Sequence, residues 1–88
     1  VKSRTTRRFW VLFERLPDDI QERAQKAYEQ FRADPAHPGL RFKRVSDAEP
    51  LYSVRIGIHH RAVGSLNADT ITWFWIGSHH DYDRLLAS

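Results

Sequence analysis

The stretch WFWIGSHHDYDRLL, residues 73–86, begins as the most apolar run of the chain and ends as one of its most polar. Extended backward to Thr70, its first half is apolar on both faces of a strand, which is the pattern of a central strand with helices on one side. Its second half brings two histidines, two aspartates and a tyrosine to the place where that strand must end. Such a change marks either a strand carrying reactive side chains to the rim of a cleft or an ordinary strand end followed by a solvated turn.

Three more segments have the period of two that belongs to strands. LRFKRV (40–45) alternates Leu40 and Phe42 against Arg41 and Lys43, and LYSVRIG (51–57) alternates Tyr52, Val54 and Ile56 against Ser53 and Arg55. RAVGSL (61–66) follows the turn-like GIHH, and NAD (67–69) joins it to TITWFWIG (70–77). Upstream the period changes. SRTTRRFWVLFERL (3–16) places Phe9, Leu12, Phe13 and Leu16 on one helical face, with Ser3, Thr5 and Thr6 available as caps. Pro17 ends that helix and opens PDDIQERAQKAYEQFRAD (17–34), where Ile20, Ala24, Ala27 and Phe31 trace a second face. Asp18, Asp19 and Glu22 in its first turn complement the helix dipole. DPAHPG (34–39) then breaks the helical pattern, and His37 within it reads as a loop residue. The expected fold is α+β: an N-terminal antiparallel helix hairpin packed on a four-stranded, mainly antiparallel sheet, with HHDYDRLLA as a short C-terminal helix or tail.

At 88 residues, with no repeat or linker, the chain reads as one domain, 1–88. The absence of cysteine excludes a disulfide framework and a thiolate zinc site. The basic N-terminus is followed by no sustained apolar region, and ITWFWIG is far short of the about 20 residues that span a bilayer. A cytoplasmic protein with no membrane partner is therefore expected. The net charge of +3 and pI near 9.7 favour polyanions or acidic protein surfaces. The cations are clustered: Lys2, Arg4, Arg7 and Arg8; Arg41, Lys43 and Arg44; Arg55 and Arg61.

Arg55 lies on the strand face opposite Val54 and Ile56, and hairpin pairing across GIHH brings Arg61 near it. Two guanidiniums converging on one sheet surface make a phosphate clamp, since each offers a planar fork of donors. The plainer reading is two solvated arginines on an exposed face. The histidines form doublets, His59-His60 and His79-His80, and neighbours in a doublet point apart, so at most one of each serves as a general acid or base. With Asp81 and Asp83 they also raise a metal site, but their spacing matches no strong metal signature. His59 and His60 fit a polar hairpin turn. Tyr82 can stack on a base or donate a proton, and Asp83 can orient a histidine or arginine; equally, Tyr82 and Leu85 can pin the tail to the core. Trp73, Phe74 and Trp75 read as core first and stacking platform second.

Two helices, a DP-x-HP-x-LRFKRV entry, YSVRIG, an arginine opening the next strand and the closing WFWIGSHHDYDRLL together resemble the RelE/ParE superfamily, the toxins of bacterial toxin–antitoxin pairs. The resemblance runs from Thr5 to Leu86. It implies a toxin that is a small endoribonuclease cutting mRNA on the ribosome, without metal or cofactor, by attack of the 2′-hydroxyl on the adjacent phosphate. By position, Arg61 would bind the scissile phosphate, Arg55 would assist, His79 would be the acid/base, and Tyr82 would be a further catalytic residue. Arg41, Lys43, Arg44, Arg55 and Arg61 would bind RNA. The implied partners are a cognate antitoxin, mRNA and the ribosome. ParE-like members instead imply DNA gyrase as the target without catalysis, and a non-toxic relative would bind only an antitoxin or RNA. Two departures stand out. Ser53 occupies the position where RelE-like enzymes often carry a further lysine. Only Val1 to Arg4 precede the first helix, too little for the opening strand of the family, so the sheet is expected to lack that edge.

Overall fold

Thr6 decides where the first helix begins. Its side-chain oxygen accepts the Phe9 N–H at 3.2 Å, an N-cap that leaves the residues before it extended. In the computed structural model, which describes residues 2–87, those residues form a strand, β1 (Lys2–Thr5). Helices α1 (Arg7–Glu14) and α2 (Asp18–Ala33) follow, then a 3₁₀ turn (Pro38–Leu40) and strands β2 (Lys43–Arg44), β3 (Leu51–Ile56), β4 (His60–Asn67) and β5 (Thr70–Ser78). Helix α3 (His79–Ala87) closes the described chain. Val1 and Ser88, the ends of the expected domain, lie outside the described residues.

The sheet has five strands in the order β1-β5-β4-β3-β2, with β1 parallel to β5 and the other pairs antiparallel. This corrects the expected four strands and the missing edge. β1 is held by the Trp73 indole N–H donating to Ser3 Oγ at 3.0 Å, and by Lys2 N–H donating to the Asp69 carbonyl at 2.7 Å. Four polar residues at a sheet edge, Lys2 and Arg4 of them charged, show no apolar alternation, so period alone cannot reveal such a strand. The LRFKRV strand shrinks to two residues because Leu40 ends the 3₁₀ turn and Arg41 takes a left-handed conformation, φ 48°. The tail is a helix, capped by Ser78 Oγ accepting the Asp81 N–H at 3.1 Å.

The helix hairpin also needs correction. α1 lies over β5 and α2 over β3, and the two helices diverge around an apolar cleft of about 360 Å³. Their connection is fixed by Gln21, whose amide N–H groups donate to the carbonyls of Phe13 (3.1 Å), Leu16 (3.1 Å) and Glu14 (3.4 Å). The amide thus adds a second donor to the Phe13 carbonyl, which already accepts the Leu16 N–H at 3.0 Å, and serves the carbonyls of Glu14 and Leu16 at and beyond the end of α1. Gln21→Leu should therefore cost about 1–2 kcal/mol, read as a lowered urea midpoint with an unchanged slope.

The core lies between these helices and the sheet: Phe13, Ala24, Ala27 and Phe31 meet Val54, Ile56, Ala62, Ile71, Trp73 and Ile76. The opposite face of the sheet carries a smaller cluster of Val63, Trp75 and Tyr82, the last from α3. Trp73 and Trp75 are two residues apart yet belong to different faces. A β-bulge explains this: Val63 pairs with Trp75 but Gly64 pairs with Trp73, so Phe74 is skipped and the alternation resets.

Candidate functional site

The second face is built from β2, β3, β4 and α3. Arg55 on β3 stands directly opposite Arg61 on β4, and residues so paired share a face with Cβ atoms about 5 Å apart. Like charges in this relation are destabilising. Arg55 is anchored by its Nε–H on the Gly57 carbonyl at 3.0 Å, and Arg61 by a terminal N–H on the His60 carbonyl at 2.9 Å. Both anchors hold the guanidiniums near the β3–β4 turn and leave the rest of each fork available. Among the described residues, no lysine or arginine forms an ion pair with a carboxylate. Burial, then Arg55, then Arg41 push the Arg61 guanidinium below its ordinary value, with Tyr82 and Asp83 opposing. It remains a cation, as arginine does in proteins.

Of the three cations in the middle cluster, Lys43 pairs with Ser53 and so faces the arginine side, and Arg41 lies close enough to weigh on Arg61. Arg44 alternates to the other face. Its guanidinium donates to the Ser46 carbonyl at 2.8 Å and the Glu49 carbonyl at 3.5 Å, which ties down the β2–β3 loop. The expected RNA-binding set thus divides, with Arg44 apart from Arg41, Lys43, Arg55 and Arg61.

The histidine doublets separate as adjacent residues must. His60 pairs with Ile56 on the helix-bearing face, where burial, then His59 and Arg23, lower its imidazole from the ordinary value against the pull of Asp19. His59 lies in the turn and its carbonyl accepts the His79 N–H at 2.6 Å. That bond joins the β3–β4 turn to the start of α3. His79 is about half exposed, with Nδ1 3.2 Å from Asp83 Oδ2. His80 is exposed, and His37 Nδ1 accepts the Gly39 N–H at 3.1 Å in the loop before β2. No group of three or more His, Asp or Glu among the described residues is arranged to hold a metal ion.

Tyr82 is buried, and its hydroxyl donates to Ser53 Oγ at 3.4 Å. Ser53 is itself buried, 1% exposed, so this bond satisfies both hydroxyls beneath α3. The Trp75 indole supports the same helix. It lies across Gly77, where a Cβ would come within 2.8 Å of the ring, and its ring centroid is 6.4 Å from that of Tyr82. Gly77 is the register partner of Arg61, so a larger residue there would displace the platform on which α3 sits beside the arginines.

A family of ParE-like toxin domains matches residues 18–84. The chain belongs to the RelE/ParE toxin superfamily. Its fold is that of a RelB–RelE antitoxin–toxin complex from Methanococcus jannaschii, at TM-score 0.74 and 19% identity over 92% of this chain and 96% of the other. A YoeB/ParE toxin from Agrobacterium tumefaciens aligns at TM-score 0.69 and 18% identity over 90% and 99% of the two chains. YafQ from E. coli aligns at 0.67 and 8% identity over 92% and 96%. No curated protein sequence matches. Among the described residues of this toxin domain, no helix is long and apolar enough to cross a membrane.

Sequence reasoning did not find the Tyr82–Ser53 bond, which links residues 29 apart in sequence and depends on where α3 lands. The one available signal was Ser53 itself, a small hydroxyl in the middle of an otherwise bulky strand.

Proposed function

We propose that this toxin domain is an endoribonuclease that cuts mRNA, on the ribosome, and is held in check by a cognate antitoxin. The observation that carries the reading is the Arg55–Arg61 pair: two guanidiniums in cross-strand register, neither in an ion pair with a carboxylate among the described residues, on the face against which α3 and its His79 are set. A fold accepts such repulsion where an anion is to be bound, and a phosphate diester supplies one. The 2′-oxygen attacks phosphorus as the bond to the 5′-oxygen breaks, leaving a cyclic phosphate and a free 5′-hydroxyl. Arg61, with Arg55 beside it, neutralises the charge that grows on the non-bridging oxygens. The proton lost by the 2′-hydroxyl ends on the 5′-oxygen, so an imidazole that takes it and returns it balances the reaction, and His79 has that place. Tyr82, with its hydroxyl on Ser53, holds α3 and so His79 against the sheet. Arg41 and Lys43 extend the cationic surface along the RNA backbone. The antitoxin lays an acidic or amphipathic segment over the same surface.

A second reading has its own support, since the matching family is named for ParE, and resemblance to ParE implies gyrase as the target. Expression in cells with mapping of mRNA 5′ ends separates the two. New ends within translated messages, lost in Arg61→Ala and His79→Ala, are the expected result. Growth arrest with intact messages and a DNA-damage response would transfer the assignment to gyrase. Neither arrest nor cleavage would leave an antitoxin-binding or RNA-binding relative.

A further inference from the structure

His79 and Asp83 are four residues apart on α3, which places them on one side of the helix a turn apart. The carboxylate is 3.2 Å from Nδ1, and the Tyr82 ring lies against the imidazole with centroids 5.7 Å apart. The His79 backbone is fixed as well, through its N–H on the His59 carbonyl. Imidazole, aromatic ring and carboxylate therefore form a defined group at the end of β5, with the phenol of Tyr82 buried beneath it. The same carboxylate lies near enough to Arg61 to favour its charged form.

A neutral imidazole carries one proton, and whatever contacts one nitrogen decides the role of the other. In water that proton resides mainly on Nε2, which makes Nε2 a donor and useless as a base. A carboxylate beside Nδ1 reverses the preference. We propose that Asp83 is a positioning residue that keeps the proton of neutral His79 on Nδ1 and presents the Nε2 lone pair to the substrate. Its catalytic consequence rests on the ribonuclease reading; the tautomer does not. Asp83 touches no reacting atom and acts through His79, as the buried carboxylate of a catalytic triad acts through its histidine.

The test is a long-range ¹H–¹⁵N spectrum of the histidine-labelled protein at alkaline pH, with His79→Gln used to assign the His79 signals. Wild type should show the Nδ1–H pattern, Asp83→Ala the Nε2–H pattern, and Asp83→Glu a return toward wild type. Cleavage of messages on programmed ribosomes should fall about tenfold in kcat for Asp83→Ala, part of what general acid–base catalysis contributes, with KM little changed and substantial rescue in Asp83→Glu. A wild-type Nε2–H pattern, or the same tautomer in wild type and Asp83→Ala, would overturn the proposal. The expected tautomers together with no cleavage by the wild type would uphold the positioning role and overturn the ribonuclease reading.

Discussion

Replacing Arg61 with alanine should lower RNA cleavage by about 10²- to 10³-fold while leaving the domain folded, because removal of one preorganised donor to a developing oxyanion has effects of that size. The expectation about stability is as specific as the one about activity. Arg61 faces Arg55 across the β3–β4 ladder, and among the described residues its guanidinium is held by a hydrogen bond to the neighbouring His60 carbonyl. Removing it relieves a like-charge pair and breaks no ion pair. The urea midpoint of Arg61→Ala should thus match or exceed that of wild type, while ribosome-programmed cleavage collapses. Arg61→Lys should recover only part of the activity, since an ammonium keeps the charge but not the planar fork. A variant that lost stability and activity together would mean that the pair is structural, and the argument for a clamp would lose its support.

Trp73→Ala should come close to abolishing the folded state. The side chain is 4% exposed and meets Phe31 edge to face at 5.4 Å. Its indole N–H is also the side-chain bond that holds β1 through Ser3. Truncation of a buried aromatic of this kind costs about 3–5 kcal/mol, against a total of about 5–15 for a typical domain. The cavity cannot close easily, because the backbone of Gly64 already lies against the ring, where a Cβ would be 2.8 Å from Cε3. Urea unfolding followed by circular dichroism should show a markedly lower midpoint or no cooperative transition. Trp73→Phe should retain the fold and lose the link to β1, a smaller deficit of about 1 kcal/mol.

What the sequence reveals here follows from the range of the interactions. α2 was legible because sixteen residues repeat one apolar face with acids at the start; of the expected Ile20, Ala24, Ala27 and Phe31, the last three are buried and Ile20 is half-buried. The Arg55–Arg61 register was legible because a short turn fixes hairpin pairing locally. β1 was not, since its partners are about seventy residues away and its own side chains carry no alternation. The shortened β2 follows from a single left-handed residue, Arg41, of a type that gives no warning of that conformation. The bulge at Phe74 was also hidden: strict alternation puts Trp73 and Trp75 on one face, and only the ladder shows that they part.

That skipped residue gives β5 a division of labour. Up to Trp73 the strand belongs to the compartment under α1 and α2; at Trp75 it serves the compartment under α3. One backbone thus maintains two separate inventories of side chains, and a change in one need not be answered in the other. Ser53 belongs wholly to the α3 side, where its hydroxyl is satisfied by Tyr82. A scaffold so partitioned lets its working surface be rewritten, sharpened or silenced, while the other side continues to guarantee that the chain folds.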